Sequence, residues 1–171
     1  ILPTKGLHVL LQAMRDLPDF RLTLAGDFKE AGYKKRILAE IDVLPKGQVR
    51  LMDRFVDDEE IPGIFARSGL LVLPYTFFHA QSGVLRLAMK YGIPVVGSDV
   101  GGLGESIRAW GIGCCAEPDD PASLAAGIRQ MAEPDRYRSA GDAVAAIRDR
   151  LRWANAAEQT WRAYLSILDA G

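Results

Sequence analysis

Short apolar runs alternate with helix-period stripes along most of this chain, and that alternation limits the folds open to it. "GLLVLP" has no polar side chain and "IPVVGSD" has none before its last two residues. Runs this short and this apolar suit strands covered on both faces, as in a parallel sheet. Between them, "SGVLRLAMKYG" carries apolar residues at helical spacing, with Gly92 as the expected stop. Upstream, "GLHVLLQAMRDL" sets Leu7, Leu10, Leu11 and Met14 on one helical stripe, and "YKKRILAEIDVL" reads as a second amphipathic helix. "FRLTLAG" and "QVRLMD" read as strands. Downstream come a short helix in "GLGESIRAWG", a weak strand in "IGCCAE", and a helix in "DPASLAAGIRQMAE" with Asp120 as N-cap and Pro121 at the first helical position. From about Pro134 onward the pattern is helical throughout. The expected class is therefore α/β: one open parallel sheet with helices on both faces and a helical C-terminal tail.

The 171 residues fit one domain, and a net charge of −1 with no basic block argues against a nucleic-acid surface. Lys34-Lys35-Arg36 and Arg148, Arg150 and Arg152 read as solvated helix faces. Asp57-Asp58-Glu59-Glu60 reads as a helix N-terminus with favourable acids rather than a metal site. Cys114 and Cys115 are adjacent, which is poor geometry for a bridge, and no metal-ligand spacing surrounds them. They read as small strand residues in a reducing, cytoplasmic compartment. No apolar run reaches the roughly 18 residues of a membrane span. The chain opens "ILPTKGLHVL", with no initiator Met and no signal peptide, and reads as a piece of a larger protein.

In a parallel sheet, ligands gather outside the carboxyl ends of the strands, where amides at helix starts face outward. Four loops have suitable chemistry: Leu2 to Gly6, Gly26-Asp27-Phe28, His79 to Gly83, and Gly101 to Gly104. Lys5 supplies a positive charge, Ser82 a hydroxyl and a helix cap, and the glycines leave room for close approach. Together they describe a site for an anionic, phosphate-bearing ligand. His79 has no carboxylate at a local spacing, so no triad is visible. Neither a dinucleotide Gly-x-Gly-x-x-Gly fingerprint nor a Walker phosphate loop is present.

The ordered segments "PTKGL", "LTLAG", "LVLPY" and "SGVLRLAMKYGIPVVGSDVGGLGE" resemble the C-terminal half of a two-domain retaining glycosyltransferase with the B-type fold. "LRWANAAEQTWRAYLSIL" resembles the closing helix of that family, which opens near a tryptophan, here Trp153. The resemblance implies a Rossmann-like domain that binds a nucleotide-diphosphate sugar, without cofactor or metal. It assigns the donor diphosphate and sugar to Lys5, Gly26, Gln81, Ser82, Gly83, Gly101, Gly102 and Glu105, and the base to Arg54, Phe55 and Val56. Many members carry a spaced pair of glutamates, whose positions fall here on His79 and Leu87. His79 thus stands as the catalytic candidate, whereas Leu87 cannot hydrogen-bond a ribose. Some members share the "SGV" form of this segment, as here. The arginine that accompanies the family's lysine would fall just before Ile1, as would a first strand and an N-terminal acceptor domain. The implied activity is sugar transfer to a glycan or lipid acceptor by a cytoplasmic enzyme, or one peripheral at the inner face of a membrane. The isolated domain is expected to be inactive. A catalytically impaired binding or scaffold domain, and a sugar-nucleotide epimerase, are the rival readings.

Overall fold

The computed structural model describes residues 1–77, 82–150 and 153–168. A single 3-10 turn, Pro3–Lys5, leads into α1 (Leu7–Met14). Strands and helices then alternate: β1 (Leu22–Ala25), α2 (Ala31–Asp42), β2 (Val49–Met52), α3 (Ile61–Phe65), β3 (Leu71–Leu73), α4 (Gly83–Tyr91), β4 (Val95–Ser98), α5 (Gly101–Trp110), β5 (Gly113–Ala116) and α6 (Pro121–Ala132). Two long helices follow, α7 (Pro134–Arg150) and α8 (Trp153–Leu168). Pairing is parallel throughout, so within each group of paired strands the loops that follow them lie at one end. Residues 1–4 bond to both groups there, at Lys29 after β1 and at Thr76 after β3.

Local chemistry sets the helix ends. The Ser82 hydroxyl accepts the Leu85 amide at 3.3 Å and caps α4, and Gly92 ends that helix at φ 75°, a conformation that favours glycine. Asp120 accepts the amides of Ala122 and Ser123 at 2.8 and 3.0 Å, with Pro121 following as the first helical residue. β4 is buried along its whole length because helices cover both its faces. Val96 faces the core built on α1, α2 and α6, and Val95 faces the core built on α4, α5 and α7. The same alternation sends the two cysteines to opposite sides. Cys114 Sγ lies 3.5 Å from the Gly127 carbonyl of α6, and Cys115 Sγ lies 3.6 Å from the Gly104 carbonyl of α5. Both thiols are half-buried and unbridged, and burial pushes both upward in pKa, although Arg108 draws Cys115 the other way.

The strands do not form one continuous sheet. β1 pairs with β2, β3-β4-β5 form a second sheet, and β1 and β3 each keep an open edge. Both faces of β3 are nevertheless covered, as the apolar run "GLLVLP" led one to expect: Val72 packs against the core built on α1, α2 and α6, and Leu71 against the core built on α4, α5 and α7. Leu71 and Val72 are half-buried beside the open edge of β3, whereas Thr23 and Ala25 of β1 are exposed because they alternate with buried Leu24 and point to the opposite, solvent-facing side of that strand. The two sheets nevertheless share a core, since Leu24, Ile37, Val96 and Leu124 belong to one buried cluster with α1 in its middle. The first residues of the chain close the carboxyl-side mouth between the two open edges. Lys29 donates its amide to the Ile1 carbonyl at 3.0 Å, and the Ile1 amine donates to the Asp27 carbonyl. On the other side, Thr76 donates its amide to the Thr4 carbonyl at 3.1 Å. α8 exposes Trp161, Tyr164 and Ile167. No helix among the described residues is long and apolar enough to cross a membrane.

β5 approaches β4 so closely that a Cβ on Gly113 would sit 1.7 Å from the Val95 carbonyl oxygen. That clash is with backbone and cannot be relieved by a rotamer change. Gly113→Ala is expected to cost about 3 kcal/mol, the upper range for overpacking, read as a lowered denaturant midpoint with an unchanged slope. A midpoint equal to wild type would contradict the close approach.

Candidate functional site at the carboxyl ends of the strands

Lys5 is placed by the glycine that follows it. Gly6 adopts φ 65°, and a Cβ there would lie 1.7 Å from the Pro74 carbonyl oxygen, so the loop presses directly on the exit of β3. This brings the Lys5 ammonium to 3.9 Å from the centre of the Tyr75 ring. Tyr75 is 4% exposed, and its hydroxyl lies 3.4 Å from Ser82 Oγ at the start of α4. A cation, an aromatic ring and a capped helix start thus form one connected group, although the residues are far apart in sequence.

Gly83 and Gly102 sit at the neighbouring starts of α4 and α5. Among the described residues, a Cβ at either would meet no atom of another element within 4 Å, so neither position is packed against a neighbour. Gly101 has φ 45° and begins α5. Ser82 and Gly102 line the near end of a small cleft that runs between α4 and α5, past Arg86 and Ser106, to Met89 and Trp110 in the last turns of the two helices. Arg86 lies one helical turn beyond Ser82, a spacing that puts both on one face. It was not among the expected residues, although that spacing was visible. Tyr75 was not among them either.

The remaining expected residues are spread along the same end. Gly26 has φ 143°, and a Cβ there would lie 3.2 Å from the Ile1 side chain, which puts Gly26 at the mouth of the gap rather than beside Ser82. Glu105 is exposed at the start of the second turn of α5 and caps nothing, since the N-cap of that helix is Val100. Arg54, Phe55 and Val56 follow β2, on the far side of β1. His79 and Gln81 lie outside the described residues, while Leu87 is half-buried on α4. Among the described residues, no group of three or more His, Cys, Asp or Glu is placed to hold a metal ion.

The acidic run stands at the start of α3, as expected, with Glu60 at the N-cap position, but its side chain does not cap the helix. α3 has no acid in its first turn, and Glu60 reaches back across the loop to Arg54. Both guanidinium nitrogens Nη1 and Nη2 donate to its carboxylate at 2.6 Å, and Nη1 also donates to the Phe55 carbonyl at 3.0 Å. This bidentate bond folds the loop around Phe55 and leaves that ring 74% exposed. The guanidinium beside it holds the Glu60 carboxyl at about 2, well below the ordinary glutamate range.

Residues 1–134 match the family model for glycosyl transferases group 1, and the chain belongs to that family. It is 31% identical over 174 residues to a glycogen synthase of Mycobacterium tuberculosis, a match that takes in 95% of this chain and 40% of that protein. It is 33% identical over 96 residues to the GDP-mannose:glycolipid 4-beta-D-mannosyltransferase of Xanthomonas campestris, across 56% of this chain and 27% of the relative. Among solved structures, Anabaena HepE in complex with UDP and glucose superposes with a TM-score of 0.81 at 25% identity, over 96% of this chain and 45% of that one. The chain therefore spans less than half the length of these relatives, and its architecture is the Rossmann-like one of B-type glycosyltransferases.

A depressed carboxylate stabilises the folded loop at neutral pH, and that contribution is lost as the pH falls from the ordinary glutamate range through about 2. Carboxyl carbon shifts followed by NMR should therefore show Glu60 titrating near 2, and moving back up toward the ordinary range in Arg54→Ala. Equal titration midpoints in the two proteins would contradict the pairing.

Proposed function

We propose that this chain is the donor-binding half of a retaining glycosyltransferase, holding a nucleotide-diphosphate sugar for hexosyl transfer to a glycan or lipid. One observation carries the reading. A lysine is fixed beside a capped helix start, with unpacked glycine positions at that helix and at the next. A departing diphosphate needs its growing negative charge stabilised. Lys5 supplies a fixed cation, and the first amides of α4 and α5 supply donors with the positive ends of two helix dipoles. Ser82, Gly83, Gly101 and Gly102 line the diphosphate, and Arg86 adds a second cation at the same cleft. Phe55 stacks on the base, Arg54 with Val56 shapes that loop, Gly26 borders the nucleotide, and Glu105 hydrogen-bonds the sugar. His79 and Gln81 act near the sugar. No step in this scheme calls for a metal.

The acceptor half belongs to the remainder of a longer polypeptide, in keeping with relatives more than twice as long. A strand preceding Ile1 fills the gap between β1 and β3, continuing the pairing that Ile1 makes past the end of β1. A second reading draws on Leu87, an aliphatic residue where many family members offer a carboxylate. Under it the domain binds nucleotide but serves a catalytically impaired parent. Robust turnover by the full-length parent with a donor panel removes that reading.

Calorimetric titration of the 171-residue chain with UDP, GDP and ADP tests the first reading. Saturable binding to one of them is expected, weakened about tenfold or more in Lys5→Ala, as for loss of a charge-assisted hydrogen bond. The isolated chain is expected to transfer no sugar. Binding of none of the three would contradict the donor reading, and sugar transfer by the chain alone would contradict the placing of the acceptor site.

A further inference from the structure

Tyr75 is buried at the exit of β3 within the apolar cluster of Leu73, Leu85 and Leu103, and a phenylalanine would fill that space equally well. A buried hydroxyl is costly unless it is bonded, and this one reaches Ser82 Oγ at 3.4 Å. On the other side, the face of the same ring meets the Lys5 ammonium at 3.9 Å. One side chain therefore touches both of the polar groups that the donor reading places on the diphosphate.

We propose that Tyr75 is a positioning residue for diphosphate binding, holding the Lys5 ammonium with its ring and directing the Ser82 hydroxyl with its own. This rests on the donor reading above and adds to it the residue that couples its two parts. Ser82 Oγ has one proton to give and two lone pairs to receive. The Leu85 amide takes one lone pair. The phenol, the stronger acid of the two hydroxyls, donates to the other. The Ser82 proton is then left to point out of the helix start, into the cleft that Ser82 shares with Gly102. There it donates to a phosphate oxygen. The ring meanwhile limits the flexible lysine chain to one region, which lowers the entropy lost when an anion is gripped.

Titration of the 171-residue chain with UDP, GDP and ADP tests this with Tyr75→Phe, Tyr75→Leu, Ser82→Ala and Lys5→Ala, alone and in pairs. Tyr75→Phe is expected to weaken binding about threefold, as for one neutral hydrogen bond, and to have no further effect in a Ser82→Ala background. Tyr75→Leu is expected to weaken it about tenfold, by loss of both contacts, with most of that loss gone in the Lys5→Ala/Ser82→Ala background. A purely structural role would give losses that add in full. A second readout needs no ligand. Ring current should move the Lys5 side-chain methylene protons upfield in the wild type and in Tyr75→Phe, and return them to ordinary lysine positions in Tyr75→Leu. Wild-type binding with additive losses, or an unshifted Lys5, would overturn the positioning role alone. A wild-type chain that binds none of the three diphosphates would overturn the donor reading and this role with it.

Discussion

The loop bearing Lys5 and the exit of β3 are pressed together without room for a side chain, and the candidate site depends on that contact. Gly6 meets the point with φ 65° and no Cβ, with the Pro74 carbonyl against it. Any other residue would carry both a conformational penalty and a backbone clash. The contact fixes where Lys5 stands relative to Tyr75, and Tyr75 in turn reaches Ser82. The chemistry at the mouth of the fold thus follows from a steric constraint beneath it.

A second constraint acts on the body of the domain. Parallel strands need covering helices on both faces, and β4 has them, with Val95 and Val96 committed to opposite cores. β1 and β3 do not share a ladder, so the two sheets are joined through the packing of α1 and α6 and through the first residues of the chain. That arrangement keeps all five strand-following loops at one end while leaving two strand edges open beside the site. Along β1 the side chains alternate, Leu24 into the core and Thr23 and Ala25 to water on the opposite face.

Much of this was legible in the sequence wherever the cause is local. Asp120-Pro121 at a helix start, Gly92 at a helix stop and Ser82 as a cap each act within a few residues, and all three stand where the pattern put them. The alternation of runs likewise revealed the strands, because it records which side chains must be buried. What was not legible depends on partners brought from elsewhere. The apolar content of "GLLVLP" reports its preference for burial but says nothing about a missing neighbour at its edge. Glu60 pairs with Arg54 across a loop at a spacing that belongs to no helix, so its run read as a dipole-favoured helix start. Tyr75 was not singled out because its role arises only when Lys5 arrives from the start of the chain. His79 and Gln81, prominent in the sequence, lie outside the described residues.

The central claim is that one anionic ligand sits between the Lys5 loop and the starts of α4 and α5. Amide chemical-shift mapping of the labelled 171-residue chain during addition of UDP, GDP or ADP tests it most directly. The account predicts saturable shifts concentrated at Lys5 and Gly6, Tyr75, Ser82 and Gly83, and Gly101 and Gly102, with a second group at Phe55 that appears with the nucleotide but not with inorganic pyrophosphate. Shifts confined to the amino ends of the strands, or spread evenly over the surface, would contradict it.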